Sequence, residues 1–153
     1  RARLAERLSS YFDDRLFFRE LYAPDAESMI RTLGGHLIAA GVVDDEYVRG
    51  AIERERLSST AFTDGLAMPH ALEMTATRTR IALVLNTTSM PWGTSRVDVV
   101  AMIAFAEEGR ATFQEVFDQL VDVFSDRANV RELVAHAHDV NTLIAELSRL
   151  IDA

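Results

Sequence analysis

The amino-acid sequence predicts a layered α/β domain in which helices cover a mixed β-sheet. Two central segments, residues 80–86 and 96–106, are almost continuously apolar and rich in β-branched residues, as expected of buried strands. Segments with the apolar spacing of an α-helix stand before, between and after the predicted strands. A chain of 153 residues with 48% hydrophobic side chains is long enough to bury one core of this kind.

The first third of the chain predicts one strand and two helices. Residues 15–21 form a short, mixed apolar segment that fits the first strand. Asp25, which follows a proline, begins a helix whose apolar positions continue until Gly41. Asp44 begins a second helix, because the acidic residues there suit the positive end of the helix dipole. The last turn of this second helix contains Arg54.

The rest of the chain predicts a short strand, the two central strands and three helices. Residues 66–68 form the short strand. Residues 89–93, with the sequence SMPWG, predict a turn between the central strands. This turn presents Trp92, for which packing in the core is favoured over a place on a partner surface. Apolar stripes predict the three closing helices over residues 113–124, 130–134 and 140–150.

His70 is the residue whose setting points to chemistry. Pro69 fixes its own φ and favours an extended conformation at the residue before it, so His70 emerges at the end of a strand. Imidazole titrates near neutral pH and can accept a phosphoryl group as a nucleophile. A run of small hydroxyl residues follows Arg54 upstream, and guanidinium and hydroxyl groups suit phosphate oxygens. These residues alone leave open an ordinary, partly exposed histidine at a strand end.

The segment over residues 54–71, RERLSSTAFTDGLAMPHA, resembles the enzyme IIA domain of the fructose/mannitol type. This family belongs to the bacterial phosphoenolpyruvate-dependent sugar phosphotransferase system, and its pattern has an Arg-Glu pair, a Thr, a Gly and an Ala-x-Pro-His ending. The resemblance implies that His70 accepts the phosphoryl group and that Arg54 steadies the phosphohistidine. It implies hydroxyl partners at Thr60 and, less directly, Ser59. It also implies a three-layer α/β fold of the mannitol-specific IIA type, with a mixed β-sheet covered by helices.

Two features bear on the kind of family member. Transport enzymes IIA commonly carry a second histidine at the start of the helix after the last central strand. Here Phe113 stands at or within a residue of that position and the stretch has no histidine, which weakens the case for rapid onward phosphoryl transfer. The segments YFDDRLFF, SMPWGTSRVDVV and TFQEVFDQLVDVFSD resemble the C-terminal IIA-like domain of BglG/LicR/MtlR-type transcriptional regulators. The resemblance implies a sugar-sensing regulatory module that the histidine-containing phosphocarrier protein phosphorylates on His70.

Two alternatives to this regulatory module stay open. The domain could be a sugar-specific IIA component that passes the phosphoryl group from His70 to an enzyme IIB domain. It could also be a non-catalytic interaction module that uses the His70 surface only for binding. Whether the domain acts as a phosphotransferase enzyme therefore stays open at the level of sequence.

Composition limits the remaining classes of function. The net charge of −8 and the lack of a basic run argue against direct nucleic-acid binding by this domain. The absence of cysteine excludes disulfides and thiolate zinc sites and favours a cytoplasmic location. The longest apolar run, residues 97–106, contains Asp98 and is too short to cross a membrane. His136 and His138 lack further ligands, so we expect no metal, and the implied transfer needs no organic cofactor.

The start of the chain predicts a connection to another domain. The sequence begins at Arg1 without methionine, and residues 1–14 are expected to be a linker or the end of a preceding helix. Residues 15–153 then form the IIA-like domain. We therefore expect a fragment of a longer protein, with upstream regulatory domains in the same chain.

Overall fold

The structure, a computed structural model, describes residues 2–63 and 65–152. Arg1, Asp64 and Ala153 lie outside the described residues. The described part forms five strands: β1 (Phe17–Arg19), β2 (Ala61–Thr63), β3 (Gly65–Ala67), β4 (Thr75–Trp92) and β5 (Ser95–Ala106). It also forms six α-helices: α1 (Ala2–Ser9), α2 (Ala26–Ala39), α3 (Asp45–Leu57), α4 (Arg110–Ser125), α5 (Arg127–His136) and α6 (Val140–Asp152).

The strands form one mixed sheet in the order β1-β4-β5-β3-β2. A long antiparallel hairpin of β4 and β5 is its centre, with Leu83 opposite Ala101. β1 runs parallel to β4, and β3 runs parallel to β5. The short β2 pairs antiparallel with β3 at one edge. This mixed topology agrees with the α/β sheet that the sequence predicts.

Helices cover both faces of the sheet, which separates two apolar cores. Alternate residues of β4 enter opposite cores: Leu83 packs with residues of α4, α5 and α6, whereas Val84 packs with residues of α2 and α3. Strand side chains that alternate between two faces in this way allow a central sheet to be buried on both sides. The predicted three-layer arrangement is therefore confirmed.

The helix starts follow the local signals in the sequence. Asp25 accepts a hydrogen bond from the Ser28 backbone N–H at 2.8 Å, and Asp44 accepts one from the Tyr47 backbone N–H at 2.9 Å. Both carboxylates satisfy backbone donors that the first turn of a helix leaves free. Gly41, where the first of these helices was expected to end, has a φ of +74° just beyond α2.

The prediction that a turn spans residues 89–93 is wrong in position. β4 continues through Trp92, and the chain reverses over Gly93 and Thr94, with a φ of +61° at the glycine. Met90 and Trp92 are buried at 2% and 0% exposure, with the alternation of a strand, and they pair with Val97 and Ser95. Packing of Trp92 in the core is confirmed, and its alternative place on a partner surface is wrong.

The first residues of the chain pack against the domain. α1 contacts α6, and Leu8 and Phe12 are buried in the core that α4, α5 and α6 share. The boundary between a segment at residues 1–14 and a domain at 15–153 stays a prediction. Among the described helices, none is both long enough and apolar enough to cross a membrane.

Candidate functional site

His70 lies just beyond the end of β3, on a backbone that neighbouring strands hold. The Pro69 carbonyl accepts a hydrogen bond from the Ile103 N–H of β5 at 3.0 Å. The His70 Nδ1 atom lies 2.9 Å from the Met68 carbonyl oxygen. Because a carbonyl oxygen only accepts, Nδ1–H donates in this contact, and in the neutral imidazole the nitrogen without a proton is then Nε2. The half-buried ring also meets the Phe105 ring edge to face, at a centroid distance of 6.0 Å.

A cleft of about 240 Å³ brings together the four site residues predicted from the sequence. His70, Arg54, Ser59 and Thr60 all line it, with apolar side chains on the remaining walls. Arg54 stands in the last turn of α3, as predicted, and its Nη1 atom donates to the Ser58 carbonyl oxygen at 2.6 Å. The structure thus places a guanidinium and an imidazole on one concave surface.

The two hydroxyl residues already have partners within the protein. Thr60 is buried, and its Oγ1 atom donates to a carboxylate oxygen of Glu55. Ser59 is exposed, and its Oγ atom accepts a hydrogen bond from the Ala61 N–H at 3.1 Å. In this arrangement the Thr60 hydroxyl proton points to the protein rather than into the cleft. A direct role of either hydroxyl toward a phosphoryl group stays a prediction.

Glu55 is a residue of the site that the sequence interpretation did not single out. Its carboxylate accepts hydrogen bonds from the Thr60 N–H at 2.9 Å, from the Thr60 hydroxyl and from the Trp92 indole N–H at 3.0 Å. The Arg-Glu pair of the sequence motif was an available signal for it. The partnership with Trp92 had no local signal, because 37 positions separate the two residues.

An aromatic cluster forms the wall behind His70. Phe113 is buried at 3% exposure, and its ring contacts those of Tyr11, Phe105 and Phe117 at centroid distances of 4.9, 5.5 and 6.0 Å. Phe105 lies between this cluster and the imidazole. Phe113, near which a second histidine was considered, therefore packs as an apolar core residue.

Tyr47 anchors the end of β5 beneath the site. Its hydroxyl donates to the Ile103 carbonyl at 2.9 Å and accepts from the Phe105 N–H at 3.1 Å. Burial is the main cause that raises the pKa of Tyr47, so this hydroxyl keeps its proton. The contacts link α3, which carries Arg54, to the strand segment whose Phe105 ring meets His70.

A second groove, of about 440 Å³, runs beside the first and shares Arg54 with it. It lies between α3 and the segment after His70, and its walls carry both charges: Arg49, Arg54, Asp44, Glu46, Glu53 and Glu73. Leu57 and Leu72 in this groove are 77% and 69% exposed, and Phe62 on the rim of the first cleft is 60% exposed. Large exposed apolar side chains grouped around a groove are typical of a surface that contacts a protein partner.

The described residues contain no group of three or more His, Asp or Glu side chains that could hold a metal ion. His136 lies 3.3 Å from the carboxylate of Glu132 on the same helix. The backbone N–H of His138 donates to the Thr142 hydroxyl at 2.9 Å. Neither histidine lines the two grooves around His70.

Comparisons with known proteins found similar regulators and a similar fold. Two regulators from Bacillus subtilis are similar to the chain: the probable licABCH operon regulator (26% identity over 84% of the chain) and the transcriptional regulator ManR (28% over 86%). The chain spans 20% of the length of each regulator. The fold matches that of enzyme IIAMtl in its complex with phosphorylated enzyme IIBMtl from Escherichia coli, with a TM-score of 0.73, 22% identity, and 90% and 99% coverage of the two chains.

The family assignment rests on most of the chain. Residues 10–149 match the family described as phosphoenolpyruvate-dependent sugar phosphotransferase system, EIIA 2. This span includes every strand of the sheet and both grooves around His70. The chain therefore belongs to the EIIA 2 family of the phosphoenolpyruvate-dependent sugar phosphotransferase system.

Proposed function

We propose that His70 accepts a phosphoryl group on Nε2 from the phosphohistidine of the histidine-containing phosphocarrier protein. The observation that carries the proposal is the contact between Nδ1 and the Met68 carbonyl, which in the neutral imidazole leaves the lone pair on Nε2. That lone pair attacks phosphorus in line as the phosphorus–nitrogen bond to the carrier breaks, and the bonding electrons return to the carrier imidazole. The exchange is reversible and needs neither metal nor organic cofactor.

Arg54 is the residue that we assign to charge stabilisation. Its guanidinium lines the same cleft as His70 and carries a positive charge at neutral pH. Phosphoryl transfer depends mainly on positioning and on stabilising charge at the phosphoryl oxygens. Ser59 and Thr60 lie on the same wall and complete the proposed phosphate side of the cleft.

We further propose that the domain is a regulatory, sugar-sensing module of a transcriptional antiterminator or activator, and acts in the cytoplasm. Similarity to two bacterial regulators over more than four fifths of the chain supports this role. The phosphorylated domain would signal to upstream domains of the same chain. With a net charge of −8 it would not bind nucleic acid itself.

A transport component is the second candidate, and the likeness to enzyme IIAMtl in its complex with an enzyme IIB favours it. Such a component would pass the phosphoryl group from His70 to an enzyme IIB domain quickly. The apolar contacts of Phe113 weigh against it, because this position offers no proton-sharing group beside the imidazole. A module that only binds partners would take up no phosphate.

The first test is incubation with phosphoenolpyruvate, enzyme I and the phosphocarrier protein, followed by intact-mass analysis. We expect wild type and the control His138→Ala to gain one phosphoryl group and His70→Ala to gain none, since His138 is exposed and outside the grooves. Arg54→Ala should slow the gain by about 10²-fold. No gain in wild type would contradict phosphoryl acceptance. Fast transfer to an added enzyme IIB domain would favour the transport component.

A further inference from the structure

Glu55 lies at the junction of three elements that surround the cleft. It stands in the last turn of α3 and is half-buried. Its Oε2 atom accepts from the Thr60 N–H and from the indole N–H of Trp92, and Oε1 accepts from the Thr60 hydroxyl. The carboxylate thus joins α3 to the segment before β2 and to the end of β4. Among the hydrogen bonds and ion pairs of the described residues, none joins Glu55 to His70 or to the guanidinium of Arg54, so we assign it no direct place in the transfer.

Hydrogen bonds continue from Glu55 to the imidazole. Thr60, whose backbone N–H donates to Glu55, accepts through its own carbonyl, in the following peptide group, from the Met68 N–H at 3.0 Å. The Met68 carbonyl in turn accepts from His70 Nδ1 at 2.9 Å. Each hydrogen bond restrains the backbone of the residue that makes the next one. The carbonyl that accepts from His70 Nδ1 is therefore two hydrogen bonds away from the Glu55 carboxylate.

The same segment also holds Arg54. The guanidinium donates to the Ser58 carbonyl at 2.6 Å, and Ser58 lies two residues before Thr60. A carboxylate that fixes Thr60 at both its N–H and its hydroxyl restricts this whole turn. Both proposed functional groups therefore rest on the backbone that Glu55 holds.

We propose that Glu55 is a positioning residue that sets the His70 imidazole in its Nδ1–H form, through Thr60 and Met68, and keeps Arg54 at the cleft. The proposal rests on phosphoryl acceptance by His70 for its effect on rate. Its effect on the imidazole does not depend on that acceptance and can be measured separately.

Three substitutions at Glu55 distinguish a residue that positions His70 from one that only stabilises the fold. Glu55→Gln keeps an acceptor for the backbone and indole N–H groups, and the Thr60 hydroxyl can rotate to accept from the new amide. Glu55→Asp keeps the charge but is one methylene too short to reach both Thr60 and Trp92. Glu55→Ala removes all three contacts. Glu146→Ala is the matched control, because Glu146 is a half-buried glutamate on α6 that is bound to Arg149 and lies outside both grooves.

We expect Glu55→Ala and Glu55→Asp to slow phosphorylation by about ten- to a hundredfold, as a small misplacement of reacting groups does. The phosphorylation rates of Glu55→Gln and Glu146→Ala should stay within a few-fold of the wild-type rate.

Nitrogen-15 NMR of the His70 ring gives the deciding result. Wild type and Glu55→Gln should show the Nδ1–H form, whereas Glu55→Ala and Glu55→Asp should show a mixture of tautomers. Circular dichroism identifies the folded variants, and Glu55→Asp decides if Glu55→Ala does not fold.

Folded Glu55→Ala and Glu55→Asp proteins that keep both the wild-type rate and the Nδ1–H form would overturn the proposal. So would a lower rate with the Nδ1–H form unchanged, because the hydrogen bonds from Glu55 would then not set the imidazole. If wild type takes up no phosphoryl group, phosphoryl acceptance itself fails. In that case the tautomer measurement still decides whether Glu55 positions His70.

Discussion

The guanidinium of Arg127 occupies the space in which a side chain at Gly65 would begin. Gly65 has a φ of +92°, and Arg127 Nη1 donates to Asp98 Oδ1 at 2.9 Å beside it. A Cβ atom at Gly65 would overlap Arg127 Nη1 and lie 3.1 Å from Asp98 Oδ1. The missing side chain lets β3 begin next to the ion pair that joins α5 to β5.

Gly65→Ala should therefore destabilise the domain. The positive φ and the overlap with Arg127 should together lower the free energy of unfolding by about 1–3 kcal/mol. Gly35→Ala in α2 is the control, because the added Cβ would have no atom within 4 Å beyond its chain neighbours and the backbone of its own helix. It should raise the free energy of unfolding by about 0.5–1 kcal/mol. Urea unfolding monitored by the fluorescence of Trp92, the one tryptophan in the sequence, measures both. Equal stability of the two variants would contradict this account.

Tyr47→Phe should weaken the support beneath the site. The substitution leaves the buried Ile103 carbonyl and Phe105 N–H without their partner, which should cost about 1–3 kcal/mol in the free energy of unfolding. The contact between Phe105 and His70 should loosen as well, so phosphorylation should slow. Urea unfolding and the mass assay check the two effects. A variant as stable and as quickly phosphorylated as wild type would show that these hydrogen bonds contribute to neither the free energy of unfolding nor the rate.

Asp25→Asn should remove part of the loss of stability in acid. The hydrogen bond from the Ser28 N–H lowers the pKa of Asp25 below its ordinary value. The carboxylate therefore stabilises the fold fully above its unfolded pKa, about 3.9, and this contribution is lost as pH falls through the lower folded pKa. Asparagine caps the helix without titrating. Unfolding in urea between neutral and acidic pH should show a smaller loss in the variant, and an equal loss would contradict the prediction.

Leu72→Ser should weaken the encounter with the phosphocarrier protein. Leu72 is 69% exposed in the groove beside His70, so the substitution should raise KM for the carrier by about tenfold, with little change in stability. Ile38→Ser is the control, because Ile38 is also exposed but lies on α2, outside both grooves. Initial rates of phosphorylation over a range of carrier concentrations measure KM. An equal KM for both variants would place the docking surface elsewhere.

Local signals account for the parts of the fold that the sequence predicts correctly. Asp25 and Asp44 begin helices because a carboxylate there caps a few backbone N–H groups nearby in the chain. The central strands follow from their continuous apolar character. Pro91 and Gly93 favoured a turn at residues 89–93, but burial of Trp92 extended the strand to Trp92 and left the turn to Gly93 and Thr94. Tertiary packing prevailed over the local turn preference at this point.

The site was predictable only where it depended on a motif. Arg54 stands in a helix that the sequence predicted, and His70 stands just after a predicted strand; the cleft that joins them follows from the fold. Glu55 was missed because its role depends on Trp92, on a strand far along the chain. β2 was missed because three residues, two of them exposed, carry no clear periodicity, and the strand exists only by pairing with β3.

The hydrogen bond between His70 Nδ1 and the Met68 carbonyl also bears on how a modified domain would be recognised. A phosphoryl group on Nε2 would leave this contact intact, so the ring and its backbone would not have to move. It would add a charge of about −1.5 to −2 to a surface that already carries Glu53 and Glu73 nearby. The two forms of the domain would then share one shape and differ in electrostatic potential. A neighbouring domain would have to distinguish them by charge, and high salt would weaken that distinction.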